Sequence, residues 1–189
     1  MRFSTKWYLN NSVCELLPLK HEDLRGFMSE TYQKDALAEL GISVDFIQEN
    51  HSFSKKKNTF RGLHFQKPPY EQAKLVRVLQ GSILDIVVDL RTHSPTYLQH
   101  EFITLSANNF KQVFIPSGFA HGFLTLEDNC EITYKISNYY NQNSDVSISI
   151  FDKDLGIKLP CKESDIVFSK KDENGKTLRR AFLRAPVQF

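Results

Sequence analysis

The chain has 189 residues, with 24 basic and 22 acidic side chains for a formal charge of +2, and it is 41% hydrophobic and 12% aromatic. Fifteen Phe, seven Tyr and one Trp exclude a disordered chain, and the near balance of charge argues against nucleic acid, whose phosphates select a clear basic excess. No apolar run approaches the ~20 residues of a membrane helix, and the length suits one domain over 1–189, with a core at about 43–160 and terminal segments packed on it.

Taken in chain order, the polar Asn10-Asn11-Ser12 soon after Met1 argues against a secretory leader. Ser29 to Leu40 is the best helical candidate, because Ala36, Leu37 and Leu40 share a face and Gly41 stands where a helix would stop. From Ser43 onward the pattern predicts short strands. Leu75–Leu79 and Ile83–Leu90 are expected to form a hairpin through Gln80-Gly81-Ser82. Further strands are expected at Glu101–Leu105, Gln112–Ile115, Gly122–Leu126 and Glu131–Ser137, with turn residues between them and a polar final segment wrapping the outside. Regular short strands of this kind indicate an all-β fold, a sandwich or a barrel, of which the double-sheet jelly roll is one form. Cys14, Cys130 and Cys161 are odd in number and widely spaced, as expected of free thiols in a reducing cytoplasm rather than a disulfide framework or a thiolate zinc site.

Two histidines have distinctive neighbours. His64 lies in Arg61-Gly62-Leu63-His64-Phe65-Gln66, where strand alternation puts Arg61, Leu63 and Phe65 on one face and Gly62, His64 and Gln66 on the other. His121 follows the turn Pro116-Ser117-Gly118. The glycines beside both histidines suggest close approach by a ligand or by backbone. His21, His51, His93 and His100 lack such contexts and are expected at the surface or in turns.

Pro116-x-Gly118-x-x-His121 resembles the second signature segment of the cupin barrels. Metal-binding cupins supply His-x-His in the first segment, whereas here His64-Phe65-Gln66 leaves a thin ligand set and no metal is expected. The likeness becomes more specific over the whole chain. Asp23 to Phe27, Glu30, Gln48 to Asn50, Arg61 to Gln66, Gln72 to Val78, Asp85 to Arg91 with Ser94-Pro95-Thr96, Pro116 to Phe123, and Tyr134-Lys135 with Tyr139-Tyr140 are similar, in order and spacing, to the dTDP-4-dehydrorhamnose 3,5-epimerase family over roughly residues 15 to 180.

That resemblance implies a cupin-type double-sheet jelly roll with short peripheral helices, and an epimerase that inverts C3, C5 or both of a nucleotide-diphospho 4-keto-6-deoxy sugar without a cofactor. The product would enter surface polysaccharide such as capsule or lipopolysaccharide. A hydrogen beside the ketone has a pKa roughly a dozen units above that of imidazole, so a base needs a stabiliser for the enolate oxygen and an acid on the opposite face. The family match implies His64 as base and Asp172 as its carboxylate partner, Lys74 at the ketone oxygen, and Tyr134 as the acid.

Arg25 and Arg61 match diphosphate contacts, Glu30, Gln48, Asn50 and Tyr140 the nucleotide side, and His121 a position near the sugar. The resemblance also implies a homodimer in which the N-terminal segment reaches the neighbouring site. The chain departs from the family at Met28, Asn141 to Val146, Ile150 to Lys153 and Leu159-Pro160, which flank the nucleotide and sugar rather than the base and acid. A GDP-linked hexose or heptose is therefore an alternative substrate. A 3,4-ketoisomerase, a non-catalytic sugar-binding cupin and a metal-dependent cupin enzyme are alternative functions.

Overall fold

The computed structural model of the chain describes residues 2–182. The N-terminal part holds β1 (Phe3–Tyr8), β2 (Val13–Pro18), β3 (His21–Asp23), β4 (Gly26–Met28) and α1 (Lys34–Glu39). The middle holds β5 (Gln48–Ser54), β6 (Phe60–Gln66), β7 (Lys74–Gln80), β8 (Ser82–Asp89), β9 (His100–Ser106), β10 (Gln112–Ile115), β11 (Phe119–Thr125), β12 (Cys130–Ile136) and β13 (Asp145–Ser147). A short 3-10 turn, Glu163–Asp165, precedes α2 (Lys170–Glu173) and α3 (Leu178–Ala181).

Two antiparallel sheets face each other, a six-stranded one ordered β1-β2-β10-β7-β12-β5 and a five-stranded one ordered β13-β6-β11-β8-β9. Period-two alternation builds the core between them. Val76, Val78, Val113, Ile115 and Ile132 meet Ile83, Val87, Ile103, Leu105, Phe119 and Phe123. Apolar segments also cover the outward face of the five-stranded sheet and part of that of the six-stranded one. Ala36, Leu37, Ile42 and Phe46 lie over Leu16, Leu75 and Phe114 of the six-stranded sheet. Ile148, Ile150, Leu155, Phe168, Leu178 and Ala181 lie over Phe60, Leu63, Phe65, Ile86 and Val88 of the five-stranded sheet. Its central strands therefore read as nearly continuous apolar runs, because both of their faces are buried. This is the expected jelly-roll class, and among the described residues no helix is long and apolar enough to cross a membrane.

Four local expectations are corrected. The segment over residues 75–90 is not a hairpin. β7 pairs with β10 and β12, and β8 pairs with β9 and β11, so Gln80-Gly81-Ser82 carries the chain from one sheet to the other. Gly81 sits at φ +76°, and a Cβ there would lie 2.7 Å from Cys130 Sγ. The helix spans only Lys34–Glu39, because Gln33 supplies no side-chain cap and the preceding residues are held by the sheet. Ser29 Oγ donates to the Leu19 carbonyl at 2.8 Å, and Gln112 Nε2 donates to the Thr31 carbonyl at 2.9 Å. Strands also precede Ser43, since β1 and β2 extend the six-stranded sheet. β1 escapes notice in the sequence because only its first residue, Phe3, is fully buried.

The fourth correction concerns β6. Against β11, His64 pairs with His121 but Arg61 pairs with Phe123, so β6 carries one extra residue between the two pairs. The bulge reverses the alternation and returns Arg61 to the face of His64. Gly62 and Gly122 meet at this point. At Gly62, with φ +135°, a Cβ would lie 2.5 Å from Gly122 Cα and 2.9 Å from the His121 carbonyl oxygen. These glycines serve backbone approach rather than a ligand. Gly62→Ala should destabilise the protein by about 2–5 kcal/mol, through a disfavoured dihedral and a backbone clash. That corresponds to a melting temperature roughly 5–20 °C lower. A thermal-denaturation midpoint within about 2 °C of the parent would contradict the assigned crowding.

Candidate functional site

A cavity of about 310 Å³ opens between the two sheets. Ser52 of β5, Lys74 and Val76 of β7, and Ile132 and Tyr134 of β12 line it from the six-stranded sheet. Arg61 and His64 of β6, with His121 and Phe123 of β11, line it from the other. Ser169, Lys171 and Asp172 close one side. Larger surface hollows of about 430, 520 and 550 Å³ exist, but none brings together a histidine, a carboxylate, a lysine and a tyrosine.

The base candidate is held from behind. His64 Nε2 donates to Asp172 Oδ1 at 2.6 Å, with side-chain exposures of 29% and 4%. Asp172 belongs to the single turn of α2, whose Ser169 Oγ accepts from the Asp172 backbone N–H, so the local cap aims the carboxylate. Burial pushes the Asp172 carboxyl up. The His64 hydrogen bond and charge, Ser169 and Lys171 outweigh that effect and hold it below the usual carboxylate range. With Nε2 donating, His64 keeps Nδ1 as the nitrogen able to accept a proton.

On the facing sheet, half-buried Lys74 lines the cavity. Burial lowers its ammonium to about 8 and Lys171 adds to the fall, while Asp85 and Asp145 oppose it. Tyr134 shares the inward face with Ile132, since Thr133 and Lys135 point outward toward another hollow. Burial raises its phenol above 10, with the Arg61 charge opposing. Arg61 Nε donates to Ser54 Oγ and Nη2 to the Phe53 carbonyl, both at 3.1 Å. His121 Nε2 donates to Asp85 Oδ2 at 2.8 Å. Burial lowers the His121 pKa more than Asp85 raises it, so this imidazole is neutral at neutral pH.

Six of the expected residues thus share one cavity: His64, Asp172, Lys74, Tyr134, Arg61 and His121. Gln48 and Asn50 lie beside it on β5, where Asn50 is paired with Tyr134 and accepts from Gln48 Nε2 at 2.8 Å. Three others lie elsewhere in the chain. Arg25 stands between β3 and β4, its guanidinium 89% exposed and bonded to Asp23 at 2.6 Å. Glu30 is paired with Arg2 and lines a hollow on the outward face of the six-stranded sheet. Tyr140 is exposed, its phenol donating to Asp145 Oδ2 at 3.2 Å beside the Lys171–Asp145 ion pair.

Ser52, Phe123, Ser169 and Lys171 also line the cavity and were not anticipated. For Lys171 the available signal was its place next to Asp172. The Asp89, Arg91, Ser94 and Thr96 positions prove to be scaffold. Buried Asp89 accepts from all three, and these bonds outweigh its desolvation to bring its pKa to about 2. Among the described residues no group of three or more His, Cys, Asp or Glu is arranged to hold a metal ion.

The chain matches the family model for dTDP-4-dehydrorhamnose 3,5-epimerase over residues 11–180. It is 44% identical over 172 residues to the dTDP-4-dehydrorhamnose 3,5-epimerase of Salmonella typhimurium, covering 90% of this chain and 93% of that one. The protein of the same name from Methanothermobacter thermautotrophicus is 43% identical over 163 residues, covering 86% and 87%. In structure the chain is similar to the dTDP-6-deoxy-D-glucose-3,5-epimerase of Legionella pneumophila in complex with dTDP-4-keto-L-rhamnose. The TM-score is 0.92, with 36% identity over 99% of this chain and 98% of that one. It is also similar to the Bacillus anthracis dTDP-4-dehydrorhamnose 3,5-epimerase with TDP and PPi bound, at a TM-score of 0.90 and 40% identity over 93% and 99%. With the family model covering most of its length and the jelly-roll fold shared, the chain belongs to the dTDP-4-dehydrorhamnose 3,5-epimerase family and is an epimerase.

Proposed function

We propose that this epimerase acts on a dTDP-linked 4-keto-6-deoxy hexose in the cytoplasm, inverting the carbons beside the ketone by proton removal and return. The observation that carries the proposal is the placing of His64 with Asp172 and of Tyr134 on facing walls of one cavity. Inversion needs this opposition, because a proton taken from one face of a planar enolate must be delivered to the other.

In this mechanism His64 Nδ1 takes the proton from C3 or C5, and Asp172 stabilises the imidazolium that forms. The electron pair moves onto the C4 oxygen, where the Lys74 ammonium meets it. Removing one such electrostatic donor costs an enzyme about 3–4 kcal/mol of barrier. Tyr134 then protonates carbon from the opposite face, and the nearby Arg61 charge favours the phenolate left behind. Bonds balance: one C–H breaks, one C–H forms, and the two protein groups return to their starting states by exchange with water.

Gln48, Asn50, Arg61, His121 and Tyr140 bind the nucleotide and sugar in the proposal. Arg25 and Glu30 do so across a homodimer. Support for the dimer is the exposure of Arg25, which does not line the cavity of its own chain and has exposed Leu24, Phe27 and Met28 beside it.

Incubation in heavy water with dTDP- and GDP-linked 4-keto sugars tests the chemistry. Deuterium should enter the positions beside the ketone of the dTDP sugar. His64→Asn should slow that exchange by roughly 10²–10⁴-fold, whereas Tyr134→Phe should exchange without inverting. Exchange at the parent rate in the first variant, or inversion in the second, would contradict the assigned roles. Arg25→Ala should raise KM about tenfold or more with kcat little changed, as loss of a charged hydrogen bond predicts. Light scattering should give twice the chain mass. An unchanged KM or a monomeric mass would count against binding across subunits.

A further inference from the structure

Asp85 lies in β8 among Ile83, Leu84, Ile86 and Val87 and has 0% exposure. Alternation points it inward with Ile83 and Val87, into the space between the sheets. Oδ2 accepts from His121 Nε2, but Oδ1 is buried with no hydrogen-bond partner among the described residues. A carboxylate oxygen in such a place calls for a compensating positive charge. Lys74 is the complementary case, since no hydrogen bond or ion pair joins its ammonium to any described residue.

The groups around Lys74 come from every neighbouring element. Asp85 of β8, Asp145 of β13 and Lys171 of α2 act on it directly. Arg61 and His64 of β6, His121 of β11, Tyr134 of β12 and Asp172 of α2, itself bonded to His64, share its cavity. Asp145 is already committed to Lys171 and Tyr140. Asp85 is committed only to an imidazole that burial keeps neutral, so its negative charge is not consumed. Resting on the functional reading above, we infer that Asp85 is a positioning residue whose carboxylate, oriented by His121, keeps the Lys74 ammonium charged and available to the ketone oxygen. Its influence is the largest of those opposing the desolvation of Lys74.

The sign of the effect follows directly. Lys74 works as a cation, so activity falls as pH rises through its pKa, which lies at about 8. Asp85→Asn keeps the volume and an oxygen that accepts from His121, while removing the charge. The alkaline limb of kcat/KM should then move toward acid by about one pH unit, and the rate at pH 8 should fall several-fold with KM nearly unchanged. Lysine-selective side-chain NMR on substrate-free protein should show the same shift for Lys74 Nζ. An alkaline limb and an Nζ titration that coincide with the parent's would overturn the inference.

Should Asp85→Asn fail to fold, His121→Ala decides. Losing the imidazole that orients the carboxylate should lower the Lys74 titration, and one that coincides with the parent's would overturn the inference. The NMR titration needs no turnover. A parent protein inert toward every 4-keto sugar would therefore defeat the functional reading, while the Asp85–Lys74 coupling would still be measured.

Discussion

The architecture turns on opposition across a narrow gap. A jelly roll brings two sheets face to face, and along most of their length the space between them is filled by branched apolar side chains. At one place the inward positions carry Lys74 and Tyr134 on one sheet and Arg61, His64 and His121 on the other, and a cavity remains. Neither sheet alone could present groups to both faces of a flat intermediate. Packing that fixes the separation of the sheets also fixes the separation of the proposed base and acid, so core and chemistry share one constraint.

The electrostatics suit an anionic intermediate. Arg61, Lys74 and Lys171 surround the cavity with positive charge, and the acids present are engaged in orienting other groups. Asp172 holds His64 from a single capped helical turn, which is itself retained by the apolar C-terminal segment over the five-stranded sheet. Burying that carboxylate is costly, and the bond to His64 together with neighbouring charge more than offsets the desolvation. The result is an imidazole with one nitrogen fixed and the other available.

Much of the sheet was legible because period-two patterns are local. The strands at Gln112–Ile115 and Cys130–Ile136 follow from local apolar runs bounded by turn residues, whereas the roles of Lys74 and Tyr134 came only with the family resemblance. What could not be read depends on partners distant in sequence. The bulge that returns Arg61 to the His64 face exists only in the register between β6 and β11. The same holds for Gln80-Gly81-Ser82, whose hairpin-like composition serves a crossing between sheets. Asp172 illustrates the limit most clearly. In a polar tail it looks like a solvated charge, and its role arises from contact with a histidine 108 positions away. Asp85 is likewise a carboxylate within an apolar strand, and its bond to His121 depends on the register of β8 against β11.

The most direct test of the central claim is a crystal structure with a dTDP-linked keto-sugar analogue bound. The account predicts the hexose ring inside the cavity, with His64 Nδ1 on one face of a carbon beside the carbonyl, the Tyr134 hydroxyl on the other, and Lys74 Nζ at the carbonyl oxygen. A ring lying outside the cavity, or one with the imidazole and the phenol on the same face, would contradict it.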